Sequence, residues 1–122
     1  MKKMFAAVLT AAVCALGALM LPASGLLAEE AQSAMEQGKE LAFDRRKGNC
    51  LACHMIAGGD LPGNIGPPLV AMKMRYPDKA KLRAQIYDAT IANPQSSMPP
   101  FGRHGILTDE EIDLVTEFIY AQ

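Results

Sequence analysis

Residues 50–54 read Cys50-Leu51-Ala52-Cys53-His54. This is the C-x-x-C-H spacing of covalent c-type haem attachment. Two thiols three residues apart lie on one face of a helical turn, where they can add to the two vinyl groups along one side of a porphyrin. The imidazole that follows can then meet the iron from that same side. The competing readings of the motif fare worse. A thioredoxin-like redox pair follows a strand in a βαβ setting, and no strand-period stretch precedes Cys50. A zinc site needs two further Cys or His ligands, and between residues 29 and 122 only His104 remains outside the motif. A disulfide between Cys50 and Cys53 would close too short a loop to stabilise much.

The chain has 122 residues, enough for one domain. Its average composition, 50% hydrophobic with a net charge of −1, conceals a split. Residues 1–28 hold 21 apolar residues and two charges, Lys2 and Lys3. Residues 29–122 hold ten Lys or Arg, thirteen Asp or Glu, and 40 apolar residues in 94. A two-domain enzyme, a strongly basic nucleic-acid binder and a long disordered tail are thereby excluded. With no Trp, three Tyr and four Phe in the whole chain, the domain is also small for a self-sufficient core.

The first segment has the layout of a bacterial secretory signal: Lys2-Lys3, the apolar run from Ala6 to Leu21, then the small, turn-prone Pro22-Ala23-Ser24-Gly25. Residues 1–28 are read as this signal and 29–122 as the haem domain. Cleavage after Ala28 places Leu26 poorly at −3, so cleavage after Gly25 stays open. An uncleaved membrane anchor is the alternative, because the apolar run is nearly long enough to span. Cys14 has neither Leu at −3 nor a small residue at −1, which argues against a lipid-modified cysteine. Export leads to the periplasm, the compartment in which haem is attached to bacterial c-type chains.

Helical periodicity places the elements around the motif. Ala31, Ala34, Met35, Gly38, Leu41 and Ala42 predict an amphipathic helix of about 30–47, with Met35 on its packing face. Arg45-Arg46-Lys47 and Gly48 are read as its cationic last turn and stop. Gly38 costs about 1 kcal/mol against Ala inside a helix, which close packing on another helix would justify. Residues 56–71 form a long Gly- and Pro-rich loop, tolerable if something packs beneath it. A middle helix starts near Pro77, carries Leu82, Ile86 and Ala89, and stops before Asn93-Pro94. A second loop spans 94–105. Thr108-Asp109-Glu110-Glu111 is a capping box opening the last helix, whose apolar face is Ile112, Val115 and Ile119 beside Leu114 and Phe118.

A haem iron held by His54 needs a second axial ligand, and Met is common in electron carriers. Met35 reads as core filler and Met55 adjoins His54. Met72, Met74 and Met98 remain, Met98 in a loop stiffened by Pro99-Pro100. His104 reads as a solvent-facing loop residue. Lys73, Arg75, Lys79, Lys81 and Arg83 cluster around the middle helix, as a solvated face rather than a docking patch.

One helix, C-x-x-C-H, a Gly-Pro loop, a helix, a Met-Pro loop and a capped terminal helix together resemble a class I monohaem cytochrome c over residues 30–122. More narrowly, Lys47–His54, Pro62-Gly63-Asn64-Ile65-Gly66-Pro67-Pro68-Leu69 and Met98-Pro99-Pro100-Phe101-Gly102 look like the SoxX family, the small cytochrome subunits of SoxAX complexes in bacterial sulfur oxidation. The resemblance implies an all-α fold of three main helices and long loops around one covalent haem c. It implies thioethers from Cys50 and Cys53, axial His54 and Met98, and a Pro67 carbonyl that orients the imidazole. It also implies that Gly38 and Phe118 or Tyr120 meet where the terminal helices cross. The implied partners are a SoxA-type subunit carrying the catalytic haem, the SoxYZ carrier whose cysteine is conjugated to thiosulfate, and a downstream cytochrome that takes the electrons. No catalytic residue is expected in this chain. A free-standing electron shuttle, and a haem sensor or peroxidase with a labile sixth site, are the alternatives.

Overall fold

The computed structural model describes residues 23–122, with side-chain environments from Glu29 onward. Most of the signal segment, Cys14 included, therefore lies outside the described residues. Among the described residues the chain is all-α, without strands. Helix α1 spans Ala23–Phe43, α2 Met72–Arg75, α3 Lys79–Tyr87 and α4 Asp109–Tyr120, with a 3-10 turn at Cys50–Ala52. No helix among the described residues is long and apolar enough to cross a membrane. Ala23-Ser24-Gly25, expected to turn, are instead the first helical residues. They follow Pro22 in sequence, and proline favours the opening of a helix.

The helices α1 and α4 cross at Gly38. A Cβ there would meet the Leu114 carbonyl oxygen at 2.1 Å and the Phe118 Cβ at 2.9 Å. Phe118 is the aromatic of the crossing, and its ring stands edge-on to Phe43 with centroids 5.7 Å apart. Tyr120, the other aromatic implied there, instead lies beneath the ammonium groups of Lys73 and Lys79. The predicted α4 face is buried as expected at Ile112, Val115, Phe118 and Ile119. The predicted α1 face is buried only toward its C-terminal end. At about 1.5 Å per residue, the 12 residues of α4 are too short to cover the 21 of α1. Ala31 is exposed, and Met35 is 38% exposed rather than core filler.

Two helix ends differ from the periodicity. The first helix stops at Phe43, not near Lys47, because Asp44 diverts the chain. Its carboxylate accepts from the Arg46 amide at 2.8 Å, and its carbonyl accepts from the amides of Lys47 and Asn49. The cations Arg45–Lys47 consequently sit in a turn beyond the helix. The middle helix ends at Tyr87, because the Asp88 side chain captures the Thr90 amide. Short polar side chains compete with helix continuation in this way. The single turn of α2 has no signature in the periodicity; it follows Ala71 in left-handed geometry, φ 51°. Of the basic cluster, Lys79 pairs with Glu117, and Arg83 pairs with Asp109 and Asp113, which ties α3 to α4.

The capping box forms in both directions between Thr108 and Glu111. Glu111 also accepts from the Lys47 ammonium at 2.8 Å, linking α4 to the turn before the cysteine motif. First Lys47, then the Thr108 amide, hold the Glu111 carboxyl below its ordinary value.

Two predictions follow from these contacts. Gly38→Ala gains about 1 kcal/mol of helix propensity but forces an overlap that costs about 1–3 kcal/mol. The net effect should be a lower urea midpoint; a raised midpoint would deny the backbone-to-backbone approach. A depressed Glu111 pKa stabilises the fold above its unfolded value of about 4.3 and ceases to do so as pH falls through the folded value. Urea midpoints of wild type and Lys47→Met should therefore differ near about pH 6 and converge toward about pH 3.

Candidate haem site

The cysteine motif is built as a tight turn. Asn49 enters it with left-handed φ 47°. The Cys53 and His54 amides both donate to the Cys50 carbonyl, at 3.2 and 2.9 Å. This winding puts Cys50, Cys53 and His54 along one wall of a cavity of about 590 Å³. Cofactor sites run to roughly 300–1,000 Å³, and close-packed interiors leave few voids larger than a water molecule.

The Gly-Pro loop is tied to that wall by backbone hydrogen bonds. Amides of Gly63, Gly66 and Leu69 donate to the carbonyls of Leu51, Cys53 and Met55, at 2.7, 2.8 and 2.9 Å. The loop therefore returns directly over His54. A Cβ on Gly66 would stand 2.4 Å from His54 Cε1, so only glycine lets the backbone lie against the imidazole. The next carbonyl, that of Pro67, is 2.7 Å from His54 Nδ1. A carbonyl can only accept, so Nδ1 carries the proton and Nε2 keeps its lone pair for a metal.

Met98 reaches the cavity from the second long loop, and Met72 also borders it from the core. Met74 is 82% exposed and lies away from it. Exposed His104 likewise lies outside. Leu82, Ile86, Phe101 and Leu107 give the cavity apolar walls, and Gln85, Asn93, Gln95, Ser96 and Ser97 add polar groups to its lining. At the edge stand Arg45, Arg46, Lys47 and Arg75, and among the described residues no carboxylate borders the cavity. Two thiols, an imidazole with a free Nε2, a thioether, apolar walls and a cationic edge match haem, an apolar macrocycle carrying two carboxylates. Burial pushes the Cys50 thiol up to about 11. Redox-active C-x-x-C pairs instead have lowered thiol pKa values. Among the described residues, no group of three or more His, Cys, Asp or Glu is placed to hold a metal ion.

Residues 33–119 match the model of the family described as cytochrome c oxidase, cbb3-type, subunit III. The chain belongs to this family of cytochrome c domains. Its all-α architecture is thus a cytochrome c fold, and haem binding and electron transfer are the chemistry of such a domain. A protein described as an uncharacterized lipoprotein of Aquifex aeolicus (strain VF5) is 38% identical over 79 residues. The similarity covers 62% of this chain, but the chain spans only 37% of that relative's length.

Several residues of this cytochrome c site escape motif reading. Gly66 was legible as part of a Gly-Pro loop, but its approach to the imidazole was not. Arg75, read as part of a solvated face, borders the cavity and donates to the Pro68 carbonyl at 2.7 Å. It thereby braces the segment that orients His54. Gly66→Ala should displace the imidazole and lower the haem content of purified protein, measured by absorbance per chain; full haem content would show that the loop can move aside.

Proposed function

We propose that the chain is an electron-transfer subunit of the SoxX type. Cys50 and Cys53 would join one haem c covalently, and His54 and Met98 would hold its iron. The observation that carries this reading is convergence. The three segments with the SoxX resemblance, Lys47–His54, Pro62–Leu69 and Met98–Gly102, all contribute residues to one cavity. In the working complex, a SoxA-type partner joins thiosulfate oxidatively to a cysteine of SoxYZ. This chain accepts the released electrons and passes them to a downstream cytochrome.

When bound, haem supplies reversible one-electron chemistry at its iron. Cys50 and Cys53 fix the orientation of the macrocycle. His54 is held in one tautomer by Pro67, which strengthens it as a donor. Met98 offers a thioether, which raises the potential relative to harder ligands. The apolar walls exclude water, and the cationic edge offsets the carboxylates of the macrocycle. No residue of the site is assigned a nucleophilic or acid–base role, so bond formation belongs to the partner.

The family description favours one other reading, a cytochrome c domain serving a terminal oxidase. In either case the segment within residues 1–28 directs export and is removed, by cleavage after Gly25 or Ala28. Intact mass of the protein from periplasmic extracts should start after Gly25 or Ala28; a retained segment would instead fit an anchored form, as the lipoprotein description of the relative suggests.

The SoxX reading expects co-purification with a larger haem subunit from thiosulfate-grown cells, visible on haem-stained gels. Capture of an oxidase instead, or of no haem partner, would overturn it. Met98→Ala should abolish the weak far-red band of methionine-ligated ferric haem. It should also lower the potential by on the order of 100 mV, within the roughly 0.8 V range that axial ligation spans. Retention of the band would move the assignment to Met72.

A further inference from the structure

The loop that carries Met98 is closed at its base by a polar clasp. Asp88 is only 4% exposed, yet it is a carboxylate at the mouth of a surface loop. Its Oδ1 accepts from the Thr90 amide at 3.0 Å and from the Thr90 hydroxyl at 2.5 Å. Its Oδ2 pairs with Arg103 Nε at 3.0 Å. A terminal nitrogen of Arg103 reaches the Thr90 hydroxyl at 3.4 Å. Beside the clasp, the Gly102 amide donates to the Tyr87 carbonyl at 3.0 Å. Residues at the start of the loop are thus bonded to residues at its end, as in a compact Ω-loop.

Hydrogen bonds continue from the clasp to Met98. The Asn93 amide donates to the Ala89 carbonyl at 3.0 Å, and the Ser96 amide to the Asn93 carbonyl at 2.9 Å. The Met98 amide donates to Ser96 Oγ at 3.2 Å. Asp88 is covered while Arg103 stays exposed, so removing the guanidinium leaves the carboxylate held by Thr90 alone. The Thr90 hydroxyl and amide, followed by the Arg103 charge, keep that carboxyl below its ordinary pKa, so the pair is ionic at neutral pH. The Thr90 contact and the Asp88 amide on the Ala84 carbonyl already end α3, so the Arg103 pair is not needed to close the helix. What the clasp does fix is the closure of the Met98 loop.

We propose that Asp88, Thr90 and Arg103 are positioning residues for Met98, holding its loop closed over the cavity and setting how firmly the thioether stays on the iron. The proposal rests on the assignment of Met98 as axial ligand. Haem-loaded protein tests it by the far-red band of the oxidised form and by titration with imidazole, which competes for the sixth position. Arg103→Gln should bind imidazole about tenfold more tightly, equivalent to about 1.4 kcal/mol, and lose band intensity. Arg103→Lys should recover part of both. Arg83→Gln, which breaks the α3–α4 ion pairs away from the loop, should change neither. Asp88→Asn should behave as Arg103→Gln; should it fail to fold, the partly exposed Arg103 still gives the result. A Met98-dependent band left unchanged by Arg103→Gln, with wild-type imidazole affinity, overturns the proposal alone. Equal effects of Arg83→Gln would reduce the clasp to general stability and overturn it as well. A band that survives Met98→Ala overturns the ligand assignment together with the proposal.

Discussion

The helices α1 and α4 lie backbone against backbone at Gly38, and the rest of the domain is arranged around that crossing. With the Leu114 carbonyl only 2.1 Å from where a Cβ would sit, no other residue fits at position 38 without moving one helix. The crossing brings the end of α1, and hence the cysteine motif, beside the core face of α4. It also leaves Ile119 of α4 to form part of the cavity wall. The α3 helix joins this pair through Leu82 and Ile86 on the inside and through the Arg83 and Lys79 ion pairs outside. Exposed ion pairs contribute little each, so the apolar seam and the close crossing carry the association.

The helices α2, α3 and α4 line only part of the cavity; the cysteine turn and two loops complete it. Long loops are unusual in compact domains, and here each is given the order of a regular element by other means. The first borrows backbone acceptors from the cysteine segment. The second is closed by Asp88, Thr90 and Arg103 and stiffened by Pro99-Pro100. The two ligand candidates thus arrive on scaffolds of different kinds. His54 lies in a tight turn overlaid by backbone, with its tautomer fixed by a carbonyl. Met98 lies in a loop whose ends are joined by the Gly102–Tyr87 backbone bond and by the side chains of Asp88, Thr90 and Arg103.

This difference also explains what could be read from sequence. Cys50, Cys53 and His54 form a local motif whose spacing is its own chemistry, so their shared cavity wall was legible. The apolar faces of α3 and α4, and the capping box at Thr108, follow from patterns within a few residues. Both early helix ends were missed because Asp44 and Asp88 act through side-chain hydrogen bonds that compete with periodicity without altering it. The exposure of Met35 was missed for a different reason. Periodicity gives the face of a helix, but not how far its partner extends along it. The cavity-edge position of Arg75, and the pairing of Asp88 with Arg103 fifteen positions away, depend on loop closure and leave no mark on local pattern.

The cation distribution gives the last step. Residues 29–122 are net acidic, yet Arg45, Arg46, Lys47 and Arg75 all line the cavity, and among the described residues no carboxylate lines it with them. Three of the four have structural partners already: Arg46 pairs with Asp44 just past the end of α1, Lys47 holds Glu111 of the capping box, and Arg75 holds the Pro68 carbonyl. The last two of these links connect the cavity edge to something that positions a ligand or a helix. Lys47 joins the turn before Cys50 to the start of α4, and Arg75 joins α2 to the carbonyl run above His54. Positive charge at this edge would favour the acidic groups of a bound haem, and the same residues secure the surrounding backbone.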